Sequence, residues 1–232
     1  MKLKIIYKYI DYFCSFAKLV FSYFANLFEK MQLFQPNIVP IVFNLPDAEI
    51  VLFENFFDAK ESLDYYNLLK NSILWKQDQI KIFGKDVNIP RLQAWYGDYD
   101  KQYSYSGITM QPLPWTHELL SIKQRVENES NTSFNTVLIN YYRNGKDGVA
   151  WHADDEHELG VTPVIGSITF GQQRVFQLKH RFNKELKIIT IPLWSGSFLI
   201  MKGKTQHFWF HQIPKTNKKL EGRINLTFRK II

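Results

Sequence analysis

The sequence predicts an α+β domain that is mostly β, an antiparallel barrel or sandwich with helices buttressing one side. Three observations predict it. Two stretches carry helical spacing, and both precede a long run of strands. That run consists of FNTVLINYYRNG, TPVIGSITFG, RVFQLKHR, LKIITIPLWSGSFLIMKG, HFWFHQIP and RINLTFRKII, separated by Gly, Pro and Asn turns. Aromatic residues form 16% of the chain and are spread along all of it, as suits a packed β-rich domain.

Residues 37–57 alternate the apolar runs IVPIVF and EIVLFENFF with breaks at Pro40 and Leu45–Pro46–Asp47, a pattern of strands and turns. A helix then begins. Asp58 supplies its N-cap, Glu61 stands three residues on as capping-box partner, and Leu63, Tyr66, Leu69 and Leu74 recur near a helical period. Residues 79–109 return to alternation in IKIF and YSYSG, with Phe83–Gly84–Lys85 as a hairpin turn. The second helix covers Thr116–Asn128 and turns Leu119, Leu120, Ile122 and Val126 to one face.

A chain of 232 residues with 45% hydrophobic content suits one domain with a small extension, and no internal repeat or Gly/Ser linker divides it. The net charge of +7 and pI near 9.3 favour a polyanionic partner, although many basic proteins bind no nucleic acid. The single cysteine, Cys14, excludes an intramolecular disulfide and a cysteine-based zinc site, and fits a reducing intracellular compartment. Residues 1–30 are apolar and aromatic but interrupted by Lys8, Asp11 and Lys18, too soon for a bilayer span. Three readings of this segment stand: an amphipathic helix on the domain, an extension upstream of a true start at Met31, or an interfacial membrane anchor.

His152–Ala153–Asp154 follows an apolar strand and a turn. Residues i and i+2 of an extended chain point to one side, so this imidazole and carboxylate can bind one ion. His211, far downstream on another predicted strand, completes the two-His, one-carboxylate triad of non-haem iron(II) sites. Alone, a His-X-Asp pair is equally a polar surface turn. The last segment adds weight, because alternation puts Arg223, Asn225, Thr227 and Arg229 on one strand face, which opposes a simple core strand. A buried arginine requires an anion, and its planar fork matches a carboxylate. A dicarboxylate would supply two. Asn140 and Tyr142, in the same i, i+2 relation on the strand before the His-X-Asp pair, either contact those carboxylates or satisfy strand-end backbone groups.

In this order, Asn140-X-Tyr142, His152-X-Asp154-X-Glu156, a distal His211 and RINLTFR over Arg223–Arg229 resemble the AlkB family of iron(II)- and 2-oxoglutarate-dependent dioxygenases. Pro90–Arg91, Tyr96–Gly97–Asp98, Tyr105–Ser106–Gly107, the GSITFG segment at 166–171 and Gly196–Ser197 extend the resemblance to about residues 50–232. LINYYRNG, HADDEHEL and RINLTFRKI look most like its double-stranded-DNA alkylation-repair branch. The resemblance implies a double-stranded β-helix, or jelly-roll, core. It implies a catalytic domain over 37–232 with a nucleotide-recognition lid at about 79–109, and leaves residues 1–36 outside.

Carried over residue by residue, the resemblance implies Fe(2+) on His152, Asp154 and His211, and 2-oxoglutarate among Asn140, Tyr142, Arg223, Asn225, Thr227 and Arg229, with O2 as second cosubstrate. Arg229 and Tyr142 would hold the distal carboxylate, with Arg223 and Asn140 nearer the metal. The target base would stack between His152 and Tyr105, with Tyr103, Ser104 and Asp155 nearby, Asp155 being otherwise a solvated turn residue. Arg91 would reach a phosphate or the cosubstrate, or pair with an acid. Phe83, flanked by Gly84 and Lys85, would be the wedge filling the gap left by an extruded base, or an ordinary hairpin contact.

The implied activity is oxidative demethylation of 1-methyladenine and 3-methylcytosine in DNA, releasing formaldehyde, succinate and CO2. The partner would be duplex DNA with a flipped base, single-stranded DNA or RNA being alternatives. The protein would act as an intracellular monomer, in cytoplasm or nucleoid if bacterial and in the nucleus if eukaryotic. An RNA demethylase, a protein hydroxylase and an inactive nucleic-acid-binding protein are the competing readings.

Overall fold

Alternation along the strands decides how the molecule is layered. In this computed structural model, which describes residues 39–82, 84–99, 103–105 and 108–232, seven antiparallel strands form the larger sheet. They are β1 (Ile41–Phe43), β2 (Glu49–Phe53), β5 (Leu92–Gly97), β8 (Thr136–Tyr142), β10 (Ile165–Gly171), β13 (Phe198–Lys202) and β15 (Arg223–Arg229), in the order β1-β2-β13-β10-β15-β8-β5. A smaller sheet has the order β12-β11-β14-β9, from β9 (Val149–His152), β11 (Arg174–His180), β12 (Ile189–Leu193) and β14 (Trp209–Ile213). Two ribbons complete the strands: β3 (Gln79–Ile82) with β4 (Lys85–Asn88), and β6 (Tyr103–Tyr105) with β7 (Ile108–Met110).

The larger sheet is covered on both sides. Phe53, Val137, Ile139, Ile168, Phe170, Phe198, Ile224, Leu226 and Phe228 point to one side and bury against α1 (Ala59–Ser72) and α2 (His117–Ser130). Their alternate neighbours Ile50, Leu52, Tyr142, Ile165 and Leu199 point to the other side, where Phe176, Leu178, Leu193 and Trp209 of the smaller sheet meet them. The sandwich buttressed by helices is therefore as the sequence predicts, and its mostly β jelly-roll character stands.

The first helix begins as the sequence requires. Asp58 accepts from Glu61 N at 2.8 Å and its own N donates to Glu61 Oε2 at 3.0 Å, a complete capping box. Its buried stripe differs from expectation. Leu63 is 59% exposed, and Leu74, 65% exposed, lies beyond the helix end at Ser72, while Ser62, Tyr65, Tyr66, Leu69 and the capping Ile73 face the sheet. The helix is rotated because Ser62 sits in the close contact with Gly196, whose missing Cβ leaves room for it. On α2, Leu119, Ile122 and Val126 are fully buried as predicted, but Leu120 lies off that stripe and is 46% exposed.

Two local departures matter for the site. Leu92–Gly97, within the stretch expected to form a lid, is a strand of the larger sheet paired to β8. The segment HFWFHQIP is not all strand, since Thr205–Phe208 make a helical turn (α3) before β14 starts at Trp209. The hairpin turn between β3 and β4 is present, with Gly84 at φ +78, a left-handed conformation suited to glycine. No helix among the described residues is long and apolar enough to cross a membrane.

Candidate active site

The polar face of β15 lies between the two sheets. Every residue from Arg223 to Arg229 is buried, Ile224, Leu226 and Phe228 against the helices and Arg223, Asn225, Thr227 and Arg229 toward the smaller sheet. Register completes the constellation: Arg223 pairs with Tyr142 and Asn225 with Asn140 on β8, while on β10 Thr169 opposes Asn225 and Ser167 opposes Thr227. A stripe of polar side chains thus crosses an otherwise apolar interior.

At one end of the stripe are the three metal-ligand candidates. His152 ends β9, His211 is its cross-strand partner on β14, and Asp154 follows in the loop after β9. One ligand atom from each of the three lies within 4.8 Å of the others. The His152 and His211 rings are 4.2 Å apart between centroids, and His211 Nε2 is 3.8 Å from Asp154 Oδ2. His152 Nδ1 sits 2.9 Å from the Ala150 carbonyl, so it carries the proton and leaves Nε2 as the donor atom for a metal. Phe176 stacks on the His211 ring, and Gln206 Oε1 accepts from Asp154 N at 2.9 Å, fixing the loop.

Electrostatics suit a cation here. Burial, with His152 alongside, pushes the His211 imidazole down to about 3 against the pull of Asp154, so it is neutral near pH 7. Burial opposes the charge of Asp154, but Arg229 and the two imidazoles outweigh it and hold the carboxyl below its usual range. A neutral His211 imidazole and an ionised Asp154 carboxylate are the forms in which these groups can bind a divalent iron.

The other end suits an anion. Arg223 is 1% exposed, and its Nε and Nη1 find no hydrogen-bond partner among the described residues. Its Nη2 donates to Thr169 Oγ1 at 2.8 Å. Burial lowers its guanidinium to about 10, with Arg174 lowering it further. The Tyr142 ring lies between the two, 5.2 Å from Arg223 Cζ and 5.7 Å from Arg174 Cζ. A carboxylate at this point would relieve two neighbouring buried cations and fill the open donors. The residues therefore fit both iron and a dicarboxylate.

The order of the two arginines is the reverse of the expected one. Arg229 Nη2 donates to Asp154 Oδ1 at 2.5 Å, which puts Arg229 beside the metal position and leaves Arg223, opposite Tyr142, at the distal end. The strand runs from Arg223 away from Tyr142 toward the loop that carries Asp154, and only that long-range pairing decides which arginine meets the metal ligand.

Comparison with known proteins decides the family. The model of the 2OG-Fe(II) oxygenase superfamily matches residues 49–229. This chain belongs to that superfamily. Within it the chain is an AlkB-family member: it is 40% identical over 192 residues to the Alpha-ketoglutarate-dependent dioxygenase alkB homolog 3 of Bos taurus, covering 79% of this chain and 66% of that protein. It is 39% identical over 160 residues to the DNA oxidative demethylase ALKBH2 of Homo sapiens, covering 66% of this chain and 61% of the relative. The chain thus spans somewhat under two thirds of the length of these relatives. A solved structure named "The structure of OsALKBH1" superposes with a TM-score of 0.58 at 18% identity, covering 82% of this chain and all of that one, and supports the fold.

As a member of the superfamily the chain uses Fe(2+), 2-oxoglutarate and O2, with the His152, Asp154 and His211 cluster as the iron site. Asn140, Tyr142, Arg223, Asn225, Thr227 and Arg229 line the same pocket as the triad. Asn140 Oδ1 accepts from both Arg91 Nε and Gln93 Nε2, and Asn225 Nδ2 donates to Ser167 Oγ and the Ile168 carbonyl. Arg91 is buried and lines both this pocket and an outer groove. Asp155 lies outside the pocket and accepts from Arg181 Nη1 at 2.7 Å. Gly84 and Lys85 are at the exposed hairpin tip; Phe83 and the side chains of Tyr103, Ser104 and Tyr105 lie outside the described residues.

Several site residues escaped sequence reasoning. Ser167 and Thr169 stand in the GSITFG segment, and its alternation alone would have turned them toward the β15 stripe. Arg174, which donates to the Asp147 and Pro214 carbonyls, and Gln206 leave no local pattern, because their partners are distant in sequence.

Proposed function

We propose that this protein is a DNA oxidative demethylase that removes N-methyl groups from 1-methyladenine and 3-methylcytosine, with 2-oxoglutarate as cosubstrate and formaldehyde, succinate and CO2 as products. The observation that carries the reading is one buried stripe bearing a triad of two imidazoles and a carboxylate at one end and an arginine with open donors at the other. The relatives named as an alkB homolog 3 dioxygenase and a DNA oxidative demethylase point to this substrate class.

The chain's own residues divide the labour. His152, Asp154 and His211 would hold iron, which when bound supplies the oxygen activation that oxidises the N-methyl carbon. Arg223 and Tyr142 take the distal carboxylate of 2-oxoglutarate. Arg229 fixes Asp154, Phe176 and Ala150 orient the two imidazoles, and Asn140 and Asn225 line the space between. The base, flipped from DNA, enters beside His152; Tyr103, Ser104, Tyr105 and Asp155 are its candidate contacts, and Phe83–Gly84–Lys85 those of the strand it leaves. The positive charge of both methylated bases, with their lost pairing, eases extrusion. The protein acts as an intracellular monomer.

The test is a panel of oligonucleotides bearing single methylated bases, in single-stranded and duplex DNA and in RNA, read by mass and by formaldehyde release. Demethylation of DNA that requires iron and 2-oxoglutarate and disappears in His152→Ala is the expected result. Turnover undiminished in that variant, or confined to RNA, sinks the reading.

A further inference from the structure

The residues next to the metal ligands in sequence face outward, and they form a set of their own. Trp151 precedes His152 and Phe210 precedes His211, so alternation sends the imidazoles inward and these rings to the outer side of the smaller sheet. On β11, Lys179 is the register partner of Phe210. Its Nζ lies 4.5 Å from the Trp151 ring centroid and 5.9 Å from that of Phe210. Arg181 lies over the other part of the row, its Cζ 4.6 Å from Phe210, and its ion pair with Asp155 offsets that carboxylate. Cations and rings alternate across the face, all partly exposed.

The face is continuous with the reaction site. A groove of about 520 Å³ runs between the β3–β4 hairpin and β9, and Trp151, His152, Gln212 and Lys215 all line it. His152 and Arg91 line the metal pocket as well, so the groove opens onto the metal position. The groove thus offers a strand that presents one base at His152 a path along Trp151.

We propose that Trp151, Phe210, Lys179 and Arg181 form a stacking platform for single-stranded DNA flanking the base in the site. This rests on the demethylase reading. Aromatic faces accept any base, while lysine and arginine beside them neutralise phosphates. The platform selects single strands, because stacking on Trp151 needs a base whose face is free, and in a duplex both faces are covered by neighbouring pairs. Lys179 packed on the indole fixes its ring plane and brings the charge to where the backbone follows the stacked base.

The test is fluorescence anisotropy of the full chain with unmodified oligonucleotides of one sequence, as a single strand and as a hairpin duplex, across a salt series. Trp151→Leu should weaken single-strand binding about tenfold while leaving duplex binding in place. Trp151→Phe should recover most of the loss. Lys179→Gln, on the sheet face turned away from the metal ligands, should flatten the plot of log affinity against log salt by about 0.7. Unchanged single-strand affinity in Trp151→Leu, an equal loss on duplex, no recovery by phenylalanine, or an unchanged salt slope in Lys179→Gln overturns the platform. RNA of the same sequence bound much more tightly than DNA overturns the assignment to DNA. These readings need no turnover. A Trp151-dependent binder that demethylates nothing sinks the demethylase reading alone, and an active enzyme whose binding ignores Trp151 sinks the platform alone.

Discussion

Arg229 Nη2 donates to Asp154 Oδ1 at 2.5 Å while His211 Nε2 stands 3.8 Å from the same carboxylate's Oδ2, so one buried anion serves both the metal position and the arginine behind it. Asp154→Ala removes that anion and leaves the guanidinium facing a smaller, apolar side chain. In the iron-free protein this should lower stability by about 3–5 kcal/mol, with Asp154→Asn losing less. Urea unfolding of the two variants checks it, and a midpoint equal to that of the original protein would show that the pair contributes nothing to the fold.

Arg223 brings to the pocket two buried donors, unpartnered among the described residues, which the proposed reading assigns to the cosubstrate. Arg223→Gln should raise the KM for 2-oxoglutarate roughly 30-fold or more, as truncating one partner of a buried ion pair does. Arg223→Lys should recover only part, since an ammonium lacks the planar fork. Initial rates of succinate formation against 2-oxoglutarate concentration decide this; an unaltered KM removes Arg223 from the cosubstrate site.

His211 makes the iron-free protein acid-sensitive. In the unfolded chain a histidine titrates near 6.5, whereas burial and His152 hold His211 near 3 in the folded one. Between those values the unfolded state binds a proton that the folded state refuses. Stability therefore rises with pH across the window and is lost as pH falls from about 6.5 toward 3. Chelator-treated protein should unfold at lower urea at pH 5 than at pH 7, and His211→Gln should flatten that difference. A midpoint independent of pH in the parent chain would contradict the buried neutral imidazole.

The Asp58–Glu61 capping box is remote from the site and should act on the fold alone. Asp58→Ala should cost about 1 kcal/mol of stability with demethylation kinetics unaltered. A change in KM or kcat at full folding would mean that α1 positions the pocket, which its place on the far side of the larger sheet argues against.

What was legible in the sequence was local. The capping box needs only residues three apart, the β3–β4 turn needs one glycine, and the polar face of β15 follows from alternation over seven residues. The triad's residue types were legible too, but β9 ends at His152 and Asp154 lies in the loop beyond it, so that loop and not strand period brings the carboxylate to the imidazoles. What escaped is set by contacts between distant segments. Which arginine meets Asp154 depends on how β15 runs against β8 and on the loop after β9. The exposure of Leu63 and Leu120 depends on how each helix is rotated on the sheet, and Leu74 lies beyond the end of α1. Arg174 and Gln206 reach their partners only once the sheets have closed.

The burial of β15 on both faces has an evolutionary consequence. Ile224, Leu226 and Phe228 secure the helices while Arg223, Asn225, Thr227 and Arg229 serve the pocket, so the strand has no silent side on which substitutions could accumulate. The outer row of Trp151, Lys179 and Phe210 is under no such double obligation. On the proposed platform, substitutions confined to one sheet surface would change the nucleic-acid contacts and leave every pocket residue of β15 in place.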